Sequence, residues 1–423
     1  MKRFAYLVFV LAACSFTFGQ AQYKVLYNFG ANGPSDGSQP KGRLLSDEQG
    51  NLYGTTFFGG NIETNGCNPS GCGTVFELTP NSDGTWSETT IYVFCQQSNC
   101  ADGAGPEAGL VADAAGNLYG TTVAGGGIVG TVFELSPPSI PSAAWTERVL
   151  WSFGSLSVND GINPFDKLIF DSVGNLYGTT RAGGVGQHAS GTVFKLSPLG
   201  DGTWNESLLY TFNGSGRINP YGSFPYAALT MDNQGNLYGT ASYGGKNLGG
   251  VVFQLTPGSG TWTQSLLHLF SKTLSTNTPV SSLSLDASGN LYGTTSAGGT
   301  SASGCKSGCG GVFELLKKNG NWQTIVLPFN GTNGGNPAAG VYLDGAGRTA
   351  YGTTQYGGAN GQGVVFAAKT SGISAIYSFC SQANCADGSQ PVAALTPDGK
   401  GNYYGMTTLG GTYNQGVVFE ITP

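Results

Sequence analysis

Charge is scarce in this sequence: 18 Lys and Arg and 24 Asp and Glu among 423 residues, or 10%, against about 25% in an ordinary soluble domain. A surface with so few ions is neutral-polar, built from Ser, Thr, Asn and Gly. A net charge of −6 and no Lys/Arg cluster argue against binding to a nucleic-acid backbone. Histidine is nearly missing, with only His188 and His268, which leaves little for zinc sites or Ser-His-Asp chemistry. No run after the first twenty residues is long enough for a membrane helix. No sustained 3.6-residue apolar period occurs, and glycine breaks every helical window. Phosphate loops and dinucleotide fingerprints are also absent in any usable context.

What is abundant is glycine, 71 residues, together with 12% aromatics. Without a collagen triplet, that combination places glycine among buried strands. The glycines fall in a repeated stretch, Gly50-Asn-Leu-Tyr-Gly-Thr-Thr56, whose tyrosine returns as Tyr119, Tyr177, Tyr238, Tyr292, Tyr351 and Tyr404. Repetition at this period marks units that bury their apolar faces only against one another. Each copy is preceded by Asp-x-x-Gly (Asp47/Gly50 to Asp398/Gly401), a hairpin turn in which Gly takes positive φ. After it come a strand with an internal glycine (Gly54 in the first copy), a Gly-Gly loop, and a strand such as Thr74–Thr79 with a recurrent phenylalanine. A tryptophan hairpin and a fourth strand, Ile91–Phe94 in the first copy, complete the unit. Glycine inside a strand signals close approach of another backbone or an aromatic ring, and tight contact with the neighbouring unit is expected.

Four antiparallel strands per unit predict propeller blades. The seventh unit stops after its third strand at Pro423, and an orphan strand, Tyr23–Phe29, resembles the missing fourth. The prediction is an all-β, seven-bladed β-propeller closed by its N-terminal strand. Blades are expected at about 40–94, 106–153, 164–212, 225–270, 279–329, 337–379 and 391–423 plus 23–29, forming one domain over 22–423.

Residues 1–21 read as a signal peptide, with Lys2 and Arg3 ahead of an apolar run and Gly19-Gln20-Ala21 as the cleavage site. Leu11-Ala12-Ala13-Cys14 offers a lipobox instead, which would anchor the protein through Cys14. Eight further cysteines form close pairs, Cys67/Cys72, Cys95/Cys100, Cys305/Cys309 and Cys380/Cys385. In an exported chain these read as disulfides. Zinc is the rival; it is disfavoured by the CxxxC and CxxxxC spacings and by the pairs belonging to different repeats.

Two consequences follow for function. With the fourth strand outermost, the Gly-Gly loops and the connections between blades share one rim, which holds all the cysteine pairs and the longest insertions. Recognition is expected there. Candidate ligand residues are Asp36, Asp102, Asp160 and Asp387 of a recurrent Asp-Gly-x-x-Pro segment, and the aromatics Phe57, Phe58, Tyr243 and Tyr356. The aspartates could hold Ca²⁺ or sugar hydroxyls; the alternative is a turn into the next blade, and for the aromatics it is packing. No metal or other cofactor is otherwise expected. Most carboxylates belong to repeated positions. Asp166 and Glu107 are the unshared ones near channel-lining strands, a thin basis for a glycosidase pair. His268 occupies a fourth-strand packing position, and His188 lies in the insertion Val185–Ser190.

The GNLYGTT…GG…GTVFELTP pattern resembles the GloVer tandem repeat of exported bacterial proteins, and more distantly the repeats of two-component-regulator and NHL propellers. The resemblance implies an exported, repeat-built protein with no family catalytic residues to carry over. Members often have a C-terminal surface anchor, which the residues up to Pro423 do not show. The functional expectation is a monomeric, secreted or periplasmic binding or scaffold module for carbohydrate or protein. A carbohydrate-active enzyme, glycosidase or lyase, with its site at the channel mouth is the alternative, and a purely structural cell-surface protein the third reading.

Overall fold

The repeated stretch spends most of its polar groups on its own turn and strands in the computed structural model, which describes residues 21–60, 67, 70–127, 129–140, 143–154, 160–186, 189–214, 219–272 and 276–423. The signal peptide, Cys14 and His188 lie outside the described residues. In the third blade, Asp171 caps the turn. Its Oδ1 accepts from the amides of Val173 (3.0 Å) and Asn175 (2.9 Å), and its Oδ2 from Asn175 Nδ2 (2.6 Å) and Tyr177 Oη (3.0 Å). The tyrosine-to-aspartate bond recurs from Tyr53, Tyr119, Tyr238 and Tyr292. Partial burial would raise the Asp171 carboxyl, but these donors outweigh it and hold it below the ordinary range.

The internal glycine makes room for a ring. A Cβ on Gly54 would lie 2.5 Å from Phe76 Cζ and 3.0 Å from Leu44 Cδ2. The other six glycines face Phe133, Phe194, Phe253, Phe313, Phe366 and Phe419 in the same way. The close approach is therefore made within a blade, to the third-strand phenylalanine, and not to the neighbouring unit as the sequence suggested. The neighbour arrives through that ring. Phe29 meets Phe76 edge to face at 5.1 Å, and Phe94–Phe133, Phe153–Phe194, Phe212–Phe253, Phe270–Phe313, Phe329–Phe366 and Phe379–Phe419 repeat the contact at 5.0 to 5.3 Å. Edge-to-face pairs of this kind add to area burial. The following threonine makes a second tie between blades: Thr55 Oγ1 donates to Ala108 O (2.8 Å), as Thr179 does to Ala227 O (3.0 Å) and Thr353 to Ala393 O (2.8 Å).

These ties close seven antiparallel sheets into a ring. In the first blade, Gly37–Pro40 and Leu45–Ser46 both pair with Leu52–Gly59, which pairs with Thr74–Pro80, and that with Trp86–Val93. The inner strand is thus interrupted after Pro40. The Asp-Gly-x-x-Pro segment belongs to this strand in the first and third blades (Gly37–Pro40, Gly161–Pro164), as Thr276–Pro279 does in the fifth, where the sequence suggested ligand residues or a turn into the blade. The seventh blade consists of Thr396–Pro397, Tyr403–Thr407, Val417–Thr422 and the N-terminal strand Gln22–Asn28, with Tyr23 opposite Ile421 and Val25 opposite Phe419. The N-terminal strand completes the last blade as predicted. The apolar clusters lie between blades. One of them joins Leu26, Phe29, Met406 and Val418 of the seventh to Leu44, Leu52, Phe76 and Leu78 of the first.

Among the described residues, no helix is long and apolar enough to cross a membrane. All four cysteine pairs are disulfides, Cys67–Cys72, Cys95–Cys100, Cys305–Cys309 and Cys380–Cys385. Such bonds suit an extracellular or periplasmic compartment.

Candidate binding site at the mouth of the central channel

A cavity of about 1060 Å³ opens on the axis and takes lining residues from all seven blades. The interrupted inner strands create it. After each recurrent proline the chain leaves the ladder for a few residues and turns toward the axis. These stretches begin Lys41-Gly-Arg43, Glu107, Phe165-Asp-Lys167, Tyr226, Val280-Ser-Ser282, Ala338-Ala-Gly340 and Val392-Ala-Ala394. The first three blades supply charge and the last four supply none from this position. The loop closed by Cys305–Cys309 adds Lys306 at the mouth, beside Tyr243 and Tyr356.

The charged side holds an ion pair and a separate group of three charges. Lys41 Nζ lies 2.5 Å from Glu107 Oε1 and 3.7 Å from the centre of the Phe57 ring. Asp166 accepts the Lys167 amide on Oδ1 and the Ala228 amide on Oδ2, both at 2.7 Å. Arg43 Nε reaches Thr396 Oγ1 at 3.3 Å. Burial works against every charge in the group of Arg43, Asp166 and Lys167. It raises the Asp166 carboxyl despite its amide donors and the nearby cations. It lowers Lys167, helped by the charge of Arg43, and it lowers Arg43 itself. On the neutral side, Tyr226 packs edge to face on Phe165 at 5.4 Å and lies under Arg181, 5.1 Å from its ring centre. Four cations (Lys41, Arg43, Lys167, Lys306) and two carboxylates (Glu107, Asp166) line the cavity. The mouth is net positive in a protein whose net charge is −6.

The predicted ligand residues divide. Tyr243 and Tyr356 line the cavity, and Phe57 supports Lys41 from beneath. Phe58 and Asp36 border a separate, smaller depression of about 610 Å³. The four aspartates of the Asp-Gly-x-x-Pro segment are buried and bonded by protein donors. Asp36 accepts from Tyr27 Oη (2.7 Å) and the amides of Gly30 (2.7 Å) and Gly37 (2.8 Å). Asp102 accepts from Tyr92 Oη (2.9 Å) and the Gln96 amide (2.9 Å), and Asp387 from Tyr377 Oη (2.6 Å) and the Ser381 amide (2.9 Å). Asp160 takes the amides of Gly154 (3.0 Å) and Gly161 (2.7 Å). They join the outer strand of one blade to the inner strand of the next. His268 is bonded through Nδ1 to Thr324 Oγ1 at 2.8 Å, in the packing position expected.

Sequence reasoning missed Lys41, Arg43, Lys167 and Tyr226. The signal was present: an alignment of the seven copies on their common proline puts the variable residues just after it. It also kept apart two cysteine pairs that the structure joins. The sulfurs of Cys67, Cys72, Cys95 and Cys100 all lie within 4.8 Å of one another.

Three overlapping stretches, 12–224, 63–305 and 299–423, match the Gloeobacter/Verrucomicrobia repeat. The chain belongs to this repeat family. No curated protein matches the sequence. Among solved structures, a protein from Lactobacillus plantarum is similar with a TM-score of 0.50 and 12% identity, over 80% of this chain and 84% of that one. The polysaccharide lyase Uly1 is similar with a TM-score of 0.48 and 13% identity (92% and 91% covered). A PQQ-bound aldose sugar dehydrogenase from Streptomyces coelicolor gives 0.46 and 11% (95% and 98%). At such identities the likeness concerns the fold, which hosts unrelated functions.

Proposed function

We propose that this repeat-family protein is an exported, non-enzymatic binding module that takes acidic saccharide into the mouth of its channel. The observation carrying this reading is the concentration of scarce charge at one place, with cations in excess. An anionic group entering the mouth would offset the unfavourable burial of Arg43 and Lys167. Tyr226, Tyr243 and Tyr356 give the cavity an aromatic lining that suits a sugar, and the rigid ring needs no reordering on binding.

Turnover is less well supported. Glu107 is engaged by Lys41, and both oxygens of Asp166 accept main-chain amides. A glycosidase needs one carboxyl free to give a proton and another free to attack or activate water. The test is a glycan array with acidic and neutral polysaccharides, run beside an activity screen on the same set. Retention of polyuronates that weakens as salt rises supports the reading. Cleavage that disappears in Asp166→Ala or Glu107→Ala would replace it with the enzyme.

A further inference from the structure

We infer that Cys67, Cys72, Cys95 and Cys100 form a thiol-exchange site at which two disulfides can trade partners. All four sulfurs lie within 4.8 Å of one another. Exchange needs a thiolate within reach of a neighbouring disulfide sulfur, and here any sulfur released from one bond stands beside the other bond.

The burial pattern gives the exchange a direction. Cys72 and Cys95 are buried, at 3% and 1% exposed, while Cys67 and Cys100 are only partly buried. A small thiol from solvent reaches an outer sulfur, and the leaving group is then an inner one. The steps balance as follows. A thiolate RS⁻ attacks Cys67, giving a Cys67–S–S–R mixed disulfide and a Cys72 thiolate. That thiolate attacks Cys95, forming Cys72–Cys95 and expelling the Cys100 thiolate. The Cys100 thiolate attacks Cys67 in the mixed disulfide, forming Cys67–Cys100 and returning RS⁻. Two disulfides are present before and after, no oxidant is consumed, and the thiol is a catalyst.

The product fits the backbone. Thr74 pairs with Val93, the last pair of the ladder, and the Phe94 amide donates to Gly73 O at 3.0 Å, which leaves Cys72 and Cys95 at the same end of the two strands. The rearranged bonds would tie the first blade's Gly-Gly loop to its connection into the second blade. In the present pairing each loop is closed only on itself.

The chain carries its own control. Phe379-Cys380 to Cys385-Ala-Asp-Gly388 copies Phe94-Cys95 to Cys100-Ala-Asp-Gly103 in sequence, and the Cα separations are alike, 3.9 and 4.0 Å. Two residues beyond the Val364–Ser378 pair, however, the strand facing Cys380 carries Gln362 where the first blade has Cys72. This twin has no second disulfide to trade with.

The experiment is to hold the folded protein with catalytic glutathione at about pH 8, near the thiol pKa. The mixture is then quenched with acid and alkylating agent, digested without reductant, and mapped by mass spectrometry. The expected result is a pair of new linked peptides, Cys72–Cys95 and Cys67–Cys100, in equal amounts, with Cys305–Cys309 and Cys380–Cys385 intact. In Cys67→Ser/Cys72→Ala, Cys95–Cys100 should become as inert as its twin. Native pairs alone in the wild type would overturn the inference, whatever the variant does. So would scrambling that involves Cys380 and Cys385 equally.

Discussion

The turn of a blade and its axis segment come from the same repeat and behave oppositely. The Asp-x-x-Gly-Asn-x-Tyr turns are alike in most blades and satisfied internally: aspartate, asparagine and tyrosine spend their hydrogen bonds on one another. The stretches after the prolines differ in every blade, and five of the six charges lining the cavity come from the first three. Uniform positions explain why the ring exists. Variable positions are where the protein differs from a bare scaffold, since a repeated residue can build a blade but cannot favour one side of the axis.

This contrast sorts substitutions by effect. The largest losses of stability should come from uniform positions at the ring's closure. Phe29 is fully buried and joins the seventh blade to the first. Phe29→Ala should cost about 3–5 kcal/mol, read by denaturant unfolding. Deleting Tyr23–Phe29 should go further and expose the edge of the seventh blade, with aggregation on size exclusion. An unchanged melting curve for the deletion would break the contrast, since closure would then not matter.

Next come the turns. Asp171→Ala removes the acceptor of four hydrogen bonds and should cost about 2 kcal/mol while leaving ligand binding intact. The turn aspartates Asp113, Asp171, Asp232, Asp286, Asp344 and Asp398 are held below their ordinary range. A depressed carboxyl contributes stability that is present above its unfolded value and is lost as pH falls through the folded one. Acid unfolding should therefore steepen below about pH 4, and Asp171→Ala should flatten it.

The smallest effect sharpens the contrast by its opposite sign. Glu147 and Glu206, on outer strands, are pushed up to about 7 by burial and then by Asp102 and Asp160 respectively. A raised carboxyl favours the fold below its unfolded value, and that contribution is lost as pH rises toward the folded one. Glu147→Gln should stabilise the protein at pH 8 by about 1 kcal/mol, allowing for solvent screening, and change nothing at pH 4. A loss of stability at pH 8 would mean that the ionised carboxylate has a partner the structure does not show.

The fold was legible in the sequence because its determinants are local and repeated: the capped turn, the strand glycine, and the truncated last unit that matches Tyr23–Phe29. The site was less so. The Asp-Gly-x-x-Pro segment drew attention to its aspartate, the conspicuous residue, whereas Asp102 and Asp387 are absorbed by corner amides and tyrosines. What faces the axis is set by where the inner strand breaks after its proline, and a break in a ladder is a property of strand pairing. The sulfur cluster escaped for the same reason, since the pairing of Thr74 with Val93 leaves Cys72 and Cys95 at the same end of the two strands. The strand position of Gly54 marks a close approach in the sequence, but its partner, Phe76, lies on the adjacent strand of the same blade.

The central claim is that the axis segments recognise an acidic saccharide. Calorimetric titration of oligogalacturonate into the wild type, Lys41→Gln/Arg43→Gln/Lys167→Gln, and Asp171→Ala tests it most directly. The account predicts binding to the wild type and to the turn variant. It predicts at least a tenfold weakening, about 1.4 kcal/mol, in the folded triple variant. Equal affinity in all three, or no binding by the wild type, would contradict it.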